Sequence, residues 1–564
     1  MLKVLTFLTL IISTKTFDIS LNENQKIILR EFDDLLNSKV DKTTGLFDGV
    51  GSIDVAVWKK DGQTQNVSPV FIRSLGKSQI KPVLENIQHV NISKPSVPLQ
   101  RLSDEYLDIN QMNTDMLPAM NSTERNQYRI ASISKSFLGY IADYLAMHRG
   151  LDLNEKISPK YIDLSSLGKA HGWDTALPQN GFSSNAINSS VFTNSITFQH
   201  LLSHTSGLSR ESMKATTYGY GSSRTSTPAC PPETPSCSND RDLNWRPWTK
   251  HILQYMMPAC GYTKYPESSK TLDTCLPGQY YHYSNAGYSI LGLALDSYMK
   301  MQIKKTTLEE FFTRHLTEGG LEDTVQSWIF YNAQQRNRTT HGCQGGSDKE
   351  HCNQKRALTD YADRGIKTPP GGIWSTTDNL AHLMLQTIQN NSRLFNNLIN
   401  SPPSQKPSYD AQSEEDPSHM PLTVFRYHHG FYIADNYTCL ASQNGRILYG
   451  SWGTVPGFTS YIISNKPREV GEDQYAVVML RSYNYNKRLN LGNQARRLLW
   501  RLLNPSHEKK ELRCPVTVCD DHCVGDHIQG TTPSSANKLS VFHQTFTCYI
   551  LAFAIGVGMI LKTV

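Results

Sequence analysis

Apolar residues at helical spacing open the readable part of the chain. Ile27, Ile28, Leu29, Phe32, Leu35 and Leu36 predict an amphipathic helix over 24–36. Alternating Val, Ile and Trp positions over 52–59, followed by Asp61-Gly62, predict a strand entering a turn, with a return strand over 70–75. The helical period resumes over 132–148, with Gly150 placed to end that helix. Further helices are expected over 197–203, 288–298, 373–388 (capped near Ser375 or Thr376) and 491–503. Strands are expected over 425–433, 446–450, 459–464 and 475–480. Helices therefore lie between an early strand pair and a late antiparallel set. That order predicts an α+β fold, an antiparallel sheet flanked by helices with an all-helical region.

The two ends of the chain follow other rules. Lys3, the apolar run 4–12 and the small or polar residues 13–16 have the form of a signal peptide over 1–16. At the other end Ser534, Ser535 and Ala536 precede a polar spacer and the apolar run 545–561. The segment 537–564 is expected to be a GPI-attachment signal or, alternatively, a retained membrane anchor. Between these ends one large domain is expected over 17–505. It carries insertions near 210–277 and 336–364, and a cysteine-bearing extension and stalk follows over 506–536.

Composition agrees with an exported protein. Sequons occur at Asn66, Asn91, Asn121, Asn188, Asn337, Asn390 and Asn436. All eleven cysteines but Cys548 precede the tail, which leaves an even set suited to disulfides in an oxidising compartment. Cys230 with Cys237, Cys260 with Cys275, and Cys343 with Cys352 form close pairs; wider connectivity stays open. A zinc site on Cys514, Cys519 and Cys523 is the rival reading, but their spacing matches no common zinc pattern. The net charge of +6 over 564 residues is spread along the chain, so no nucleic-acid partner is expected. No glycine run has the order of a dinucleotide-binding loop, and neither a cofactor nor a metal is expected.

The candidate chemistry starts at Ser132-Ile133-Ser134-Lys135. A spacing of three on a helix brings hydroxyl and ammonium to one face, where lysine can hold or take the serine proton. The spacing alone is common: it recurs at Ser74–Lys77, Ser78–Lys81, Ser166–Lys169 and Ser506–Lys509. What sets Ser132 apart is the later pair of blocks, Tyr283-Ser284-Asn285 and Ser451-Trp452-Gly453-Thr454. In this order the three blocks resemble the active-site motifs of the serine beta-lactamase-related family. That family includes class C beta-lactamases, DD-peptidases, family VIII esterases and eukaryotic beta-lactamase-like proteins. The segments 129–132, 150–155, 196–208 and 370–376 resemble its other blocks, so the likeness spans about 51–503.

The resemblance implies roles. Ser132 is the expected nucleophile, Lys135 and Tyr283 its proton handlers, and Asn285 an orienting group for Lys135 and the substrate amide. The backbone N–H groups of Ser132 and Thr454 are the expected oxyanion donors. Gly453 lets a strand approach the substrate closely. His200 and His204, four apart, are expected in a structural turn rather than on a metal. The chain departs from the family pattern at Ser451, where a basic or imidazole residue is usual. The cation that would meet a substrate carboxylate is thus missing from that block, and Trp452 offers an apolar wall instead. A neutral ester, amide or peptide, cleaved outside the cell by a protein held through its C-terminal tail, is the expected substrate. The alternative is a catalytically inactive surface glycoprotein that keeps the fold for binding. Oligomeric state is not readable from the sequence.

Overall fold

The computed structural model describes residues 21–40, 42, 47, 51–76, 126–168, 192–210, 246, 249–250, 253–256, 276–279, 281–303, 306–318, 325–326, 368–387, 426–434, 447–455, 457–467, 469–482 and 491–505. In chain order these residues form α1 (Glu23–Asn37), β1 (Ser52–Lys60), β2 (Val67–Gly76) and β3 (Tyr128–Arg129). A 3-10 turn, Ala131–Ile133, then leads into α2 (Ser134–His148). Next come α3 (Phe198–Leu202), α4 (Asn285–Gln302), α5 (Leu308–Glu318), β4 (Val325–Gln326), α6 (Thr368–Gly371), β5 (Ile373–Ser375) and α7 (Thr377–His382). The chain closes with β6 (Arg426–His428), β7 (Phe431–Ala434), β8 (Leu448–Val455), β9 (Phe458–Asn465), β10 (Gln474–Arg481) and α8 (Leu491–Leu503).

The main sheet has the order β2-β1-β10-β9-β8-β7-β6, and its pairs are antiparallel. Helices cover both faces. On one face Ile28, Phe32 and Leu36 of α1 and Leu498, Leu499 and Leu502 of α8 pack with Val55, Val477 and Met479. On the other, Phe137 and Ile141 of α2 and Ile290 and Leu291 of α4 pack with Ile462, Val478 and Leu480. Burial on both sides explains why β10 reads as a nearly unbroken apolar run with all eight residues buried. The first helix starts where Asn22 and Gln25 form a reciprocal capping box, with bonds of 2.9 and 3.2 Å.

Helix α2 is held hard against the β6–β7 turn. A Cβ at Gly139 would lie 2.0 Å from the His429 carbonyl oxygen, so only glycine allows this contact. Ser136 Oγ donates to the Gly430 carbonyl at 2.7 Å. Behind the turn, the buried His429 ring bridges Asp143 of α2 (2.5 Å) and Gln199 of α3 (3.1 Å). These contacts fix the helix that begins at the Ser-x-x-Lys element.

The expected α+β arrangement is the observed one. Two local expectations are corrected. Residues 373–388 are not one helix: Ile373–Ser375 is a strand pairing with β3 and β4, and the helix starts after the Thr376 cap. Trp374 is buried there, on a strand paired on both sides, with Arg129 and with Val325, and this pairing takes the place of helical hydrogen bonds. Residues 425–433 are not one strand, because His429 and Gly430 both take positive φ and make a turn. The cysteines, every sequon but the exposed Asn66, the leader, both insertion cores, the extension and the tail lie outside the described residues. Among the described residues no helix is long and apolar enough to cross a membrane.

Candidate active site

Ser132 sits in the 3-10 turn that enters α2, so it stands one turn before Lys135 on the same face. The residue before it, Ala131, has φ +49°, a left-handed conformation that costs an alanine about 1–2 kcal/mol. Neighbouring strands hold it there. Ile130 N–H donates to the Ile373 carbonyl at 3.0 Å, and Ser460 Oγ donates to the Ile130 carbonyl at 2.8 Å. Strand β8 then crosses the turn so closely that a Cβ at Gly453 would lie 2.6 Å from Ser132 N and 2.3 Å from Ile130 O.

Tyr283 and Asn285 arrive from the start of α4, where the Ser284 hydroxyl caps the helix by accepting from Gly287 N–H at 2.8 Å. Ser284 Oγ also donates to the Ser209 carbonyl at 2.7 Å, tying this turn to the loop that follows α3. The result is convergence on one oxygen. Lys135 Nζ donates to Ser132 Oγ at 3.0 Å and Tyr283 OH donates to it at 2.7 Å. Lys135 Nζ also donates to Asn285 Oδ1 at 2.8 Å and to the Pro370 carbonyl at 3.2 Å. Three acceptors match the three protons of a buried ammonium, which offsets the cost of taking it out of water. The same ammonium lies 4.8 Å from the centre of the Tyr283 ring.

The buried phenols and the imidazole packed behind Tyr283 stay neutral. Burial pushes the phenols of Tyr288 and Tyr427 up. His204 packs against Tyr283 (4.4 Å between ring centres), Tyr288, Tyr427 and Tyr281. Burial first, then the positive charges of Lys135 and Arg210, hold its imidazole well below the usual histidine range. Its Nδ1 accepts from Ser284 N–H at 3.1 Å, and its carbonyl accepts from His282 N–H at 2.7 Å. His200 instead completes the Thr197 cap of α3.

The third block divides by strand alternation. Gly453, and with it Ser451, faces the Ser132 turn. Trp452 is turned the other way: it packs with the α1/α8 core and stacks on Tyr432 at 3.9 Å. Tyr432 in turn meets Tyr281 hydroxyl to hydroxyl at 3.2 Å and packs on Tyr427, so Trp452 joins the rings around His204 from the other face of β8. Among the described residues, β8 pairs with β9 throughout but with β7 only at Leu448–Gly450, so its Ser451–Val455 edge is open beside Ser132. Thr454 lies on that stretch with its side chain exposed. Two contributors were not singled out by sequence reasoning. The Pro370 carbonyl belongs to a block whose likeness suggested no chemistry. Arg210, whose guanidinium carbon lies 5.2 Å from the Tyr283 ring centre, follows a recognisable loop but sits in no motif.

The family model described as Beta-lactamase matches residues 114–499, more than half of the chain. The chain belongs to the beta-lactamase family. Among curated proteins no significant match is found. Similar solved structures include the octameric penicillin-binding protein homologue from Pyrococcus abyssi, at 17% identity over 84% of this chain and 76% of that one, TM-score 0.49. A class C beta-lactamase matches at 13% identity over 87% of this chain and 99% of that one, TM-score 0.47. D-amino acid amidase from Ochrobactrum anthropi SV3, complexed with L-phenylalanine amide, matches at 15% identity over 86% and 98%, TM-score 0.47. The family match gives this chain the beta-lactamase fold, with its antiparallel sheet and flanking helices.

The depressed basicity of His204 has a stability consequence. Unfolded, His204 takes up a proton below about pH 6.5; folded, it resists, so the unfolded chain binds more protons and stability falls as pH drops below that value. Urea denaturation between pH 7 and 5.5 should give a slope that is shallower in His204→Gln by up to about 1.4 kcal/mol per pH unit. Parallel slopes in the two proteins would show that His204 titrates normally in the folded state.

Proposed function

We propose that this protein is a serine hydrolase that cleaves an ester, amide or peptide through an acyl-enzyme on Ser132. The observation that carries the reading is the pair of hydrogen bonds meeting at Ser132 Oγ, 3.0 Å from Lys135 Nζ and 2.7 Å from Tyr283 OH. In the reactive state Tyr283 is the phenolate, its charge offset by the Lys135 ammonium, and the short contact to Ser132 carries the hydroxyl proton to the phenolate oxygen. Ser132 Oγ then bonds to the substrate carbonyl carbon, and the developing oxyanion is met by the N–H groups of Ser132 and Thr454. Collapse breaks the bond to the leaving group, which takes the proton from Tyr283. Water gives a proton to Tyr283 in turn and attacks the acyl carbon; the bond from that carbon to Ser132 Oγ breaks, and Ser132 takes the proton back from Tyr283, which returns to the phenolate. Asn285 holds Lys135 in register through the 2.8 Å bond from Lys135 Nζ to its Oδ1. Substrate lies along the open edge of β8, which Gly453 allows to pass directly against the Ser132 turn.

With p-nitrophenyl acyl esters, the wild-type protein should release nitrophenol catalytically. Ser132→Ala should lower kcat by on the order of a thousandfold or more. No turnover by the wild type, or equal turnover by the variant, would refute the reading.

We also propose that the hydrolase works outside the cell, held by its C-terminal tail. The leader-like start, the sequons and the paired cysteines support this. The expected result in intact cells is a surface protein whose gel mobility shifts with an N-glycosidase and which phosphatidylinositol-specific phospholipase C releases. A shifted but unreleased protein favours a retained helix, and an unshifted intracellular one overturns export.

A further inference from the structure

Tyr283 stands between two residues that share one partner. His282 N–H donates to the His204 carbonyl at 2.7 Å, and Ser284 N–H donates to His204 Nδ1 at 3.1 Å. In extended backbone, N–H groups two residues apart point to the same side, so a single residue can take both. Ser284 is extended, with φ −134° and ψ 110°. His204 thus brackets the tripeptide whose middle member is Tyr283, and its ring lies 4.4 Å from the phenol ring, centre to centre. Two features of His204 are unfavourable in themselves. Its φ of +57° is a left-handed conformation that few residues besides glycine adopt. An Nδ1 that accepts leaves the ring proton on Nε2, and Nε2 is buried with no hydrogen-bond partner among the described residues. A ring that only filled the space among Tyr281, Tyr288 and Tyr427 would do so better without a polar edge.

We propose that His204 is a positioning residue for the reaction: its Nδ1 and its carbonyl together fix the backbone on either side of Tyr283 and so hold the phenol oxygen against Ser132 Oγ. The proposal rests on the acyl-enzyme reading above, in which Tyr283 handles the serine proton. Helical spacing already sets Lys135 beside Ser132. Tyr283 has no such frame. Residues 281–284 belong to no helix or strand, yet the Tyr283 hydroxyl must keep its 2.7 Å contact. Other bonds tie the loop 204–210 to the same stretch. Gly278 N–H donates to the Thr205 carbonyl at 2.7 Å, Ser284 Oγ to the Ser209 carbonyl at 2.7 Å, and Asn285 N–H to the Arg210 carbonyl at 2.9 Å. In each of these the loop offers a backbone carbonyl, which any residue supplies. At Nδ1 the loop offers a side chain, and there the identity of the residue matters. A proton on Nδ1 would turn that acceptor into a donor and release Ser284. Burial first, then the charges of Lys135 and Arg210, oppose it by holding the imidazole well below the usual histidine range.

The test follows the rate at which Ser132 of the full chain takes up a fluorophosphonate. In His204→Leu, which leaves Ser284 N–H without its acceptor, labelling should slow by about tenfold or more. His204→Asn can place an amide oxygen where Nδ1 stands and tolerates a left-handed backbone, so it should label within about threefold of the wild type. His204→Gln carries its amide at the Nε2 end and should be as slow as the leucine variant. The asparagine and glutamine variants decide the matter if His204→Leu does not fold. A double variant separates positioning from packing. In a Tyr283→Phe background, His204→Leu or His204→Gln should slow labelling by no more than about twofold further, because the group that His204 positions is gone. With p-nitrophenyl acetate the loss should fall on kcat, with KM within about twofold of the wild type. A folded leucine or glutamine variant that labels at the wild-type rate overturns the proposal, as do His204 and Tyr283 effects that multiply. An asparagine variant as slow as the glutamine one also overturns it, since the ring and not its acceptor then matters. If the wild type takes up no label, or labels no faster than Tyr283→Phe, the acyl-enzyme reading through Tyr283 fails and takes the proposal with it.

Discussion

The hydroxyl oxygen of Ser132 accepts hydrogen bonds from an amine three residues away and a phenol 151 residues away, and the rest of the structure serves that meeting. The amine comes free with helical spacing. The phenol does not: it requires the start of α4 to dock beside the start of α2, which the two share through one apolar core. The close crossing of β8 is the third condition. Gly453 permits it, and any side chain there would strike the backbone that carries the nucleophile. A left-handed alanine next to a reactive serine is strained, but Ser460 and Ile373 hold its neighbour from both sides.

Charge placement follows from the same packing. A buried ammonium is tolerable only with its protons satisfied, and the three acceptors of Lys135 come from three separate segments. Around it, burial keeps Tyr288, Tyr427 and His204 uncharged. The cleft therefore has cations from Lys135 and Arg210 beside a half-buried phenol, while the rings packed behind that phenol contribute shape and not charge.

Much of this was legible in the chain. Ser132, Lys135, Tyr283 and Asn285 were singled out by order and spacing, and the structure brings all four together. The sheet was legible too, because β1, β9 and β10 are long enough for their patterns to stand out. Short elements were not: the three-residue strand at Ile373–Ser375 has no period to read, and its pairing with distant β3 decides its conformation. The face that Trp452 takes was not legible for a related reason. Its face depends on which side of β8 meets Ser132, and that is settled by Gly453 touching the turn, a contact between residues far apart in sequence. Arg210 carried no signal because nothing local distinguishes an arginine after a loop from any exposed one. Only the docking of that loop on α4 brings it beside Tyr283.

The most direct measurement is to react the folded protein with a fluorophosphonate and map the adduct by peptide mass spectrometry. The adduct is expected on Ser132, and its formation should slow when Tyr283 is replaced by phenylalanine. An adduct on a different serine, or a folded protein that takes up none, would contradict the assignment of Ser132 as the nucleophile.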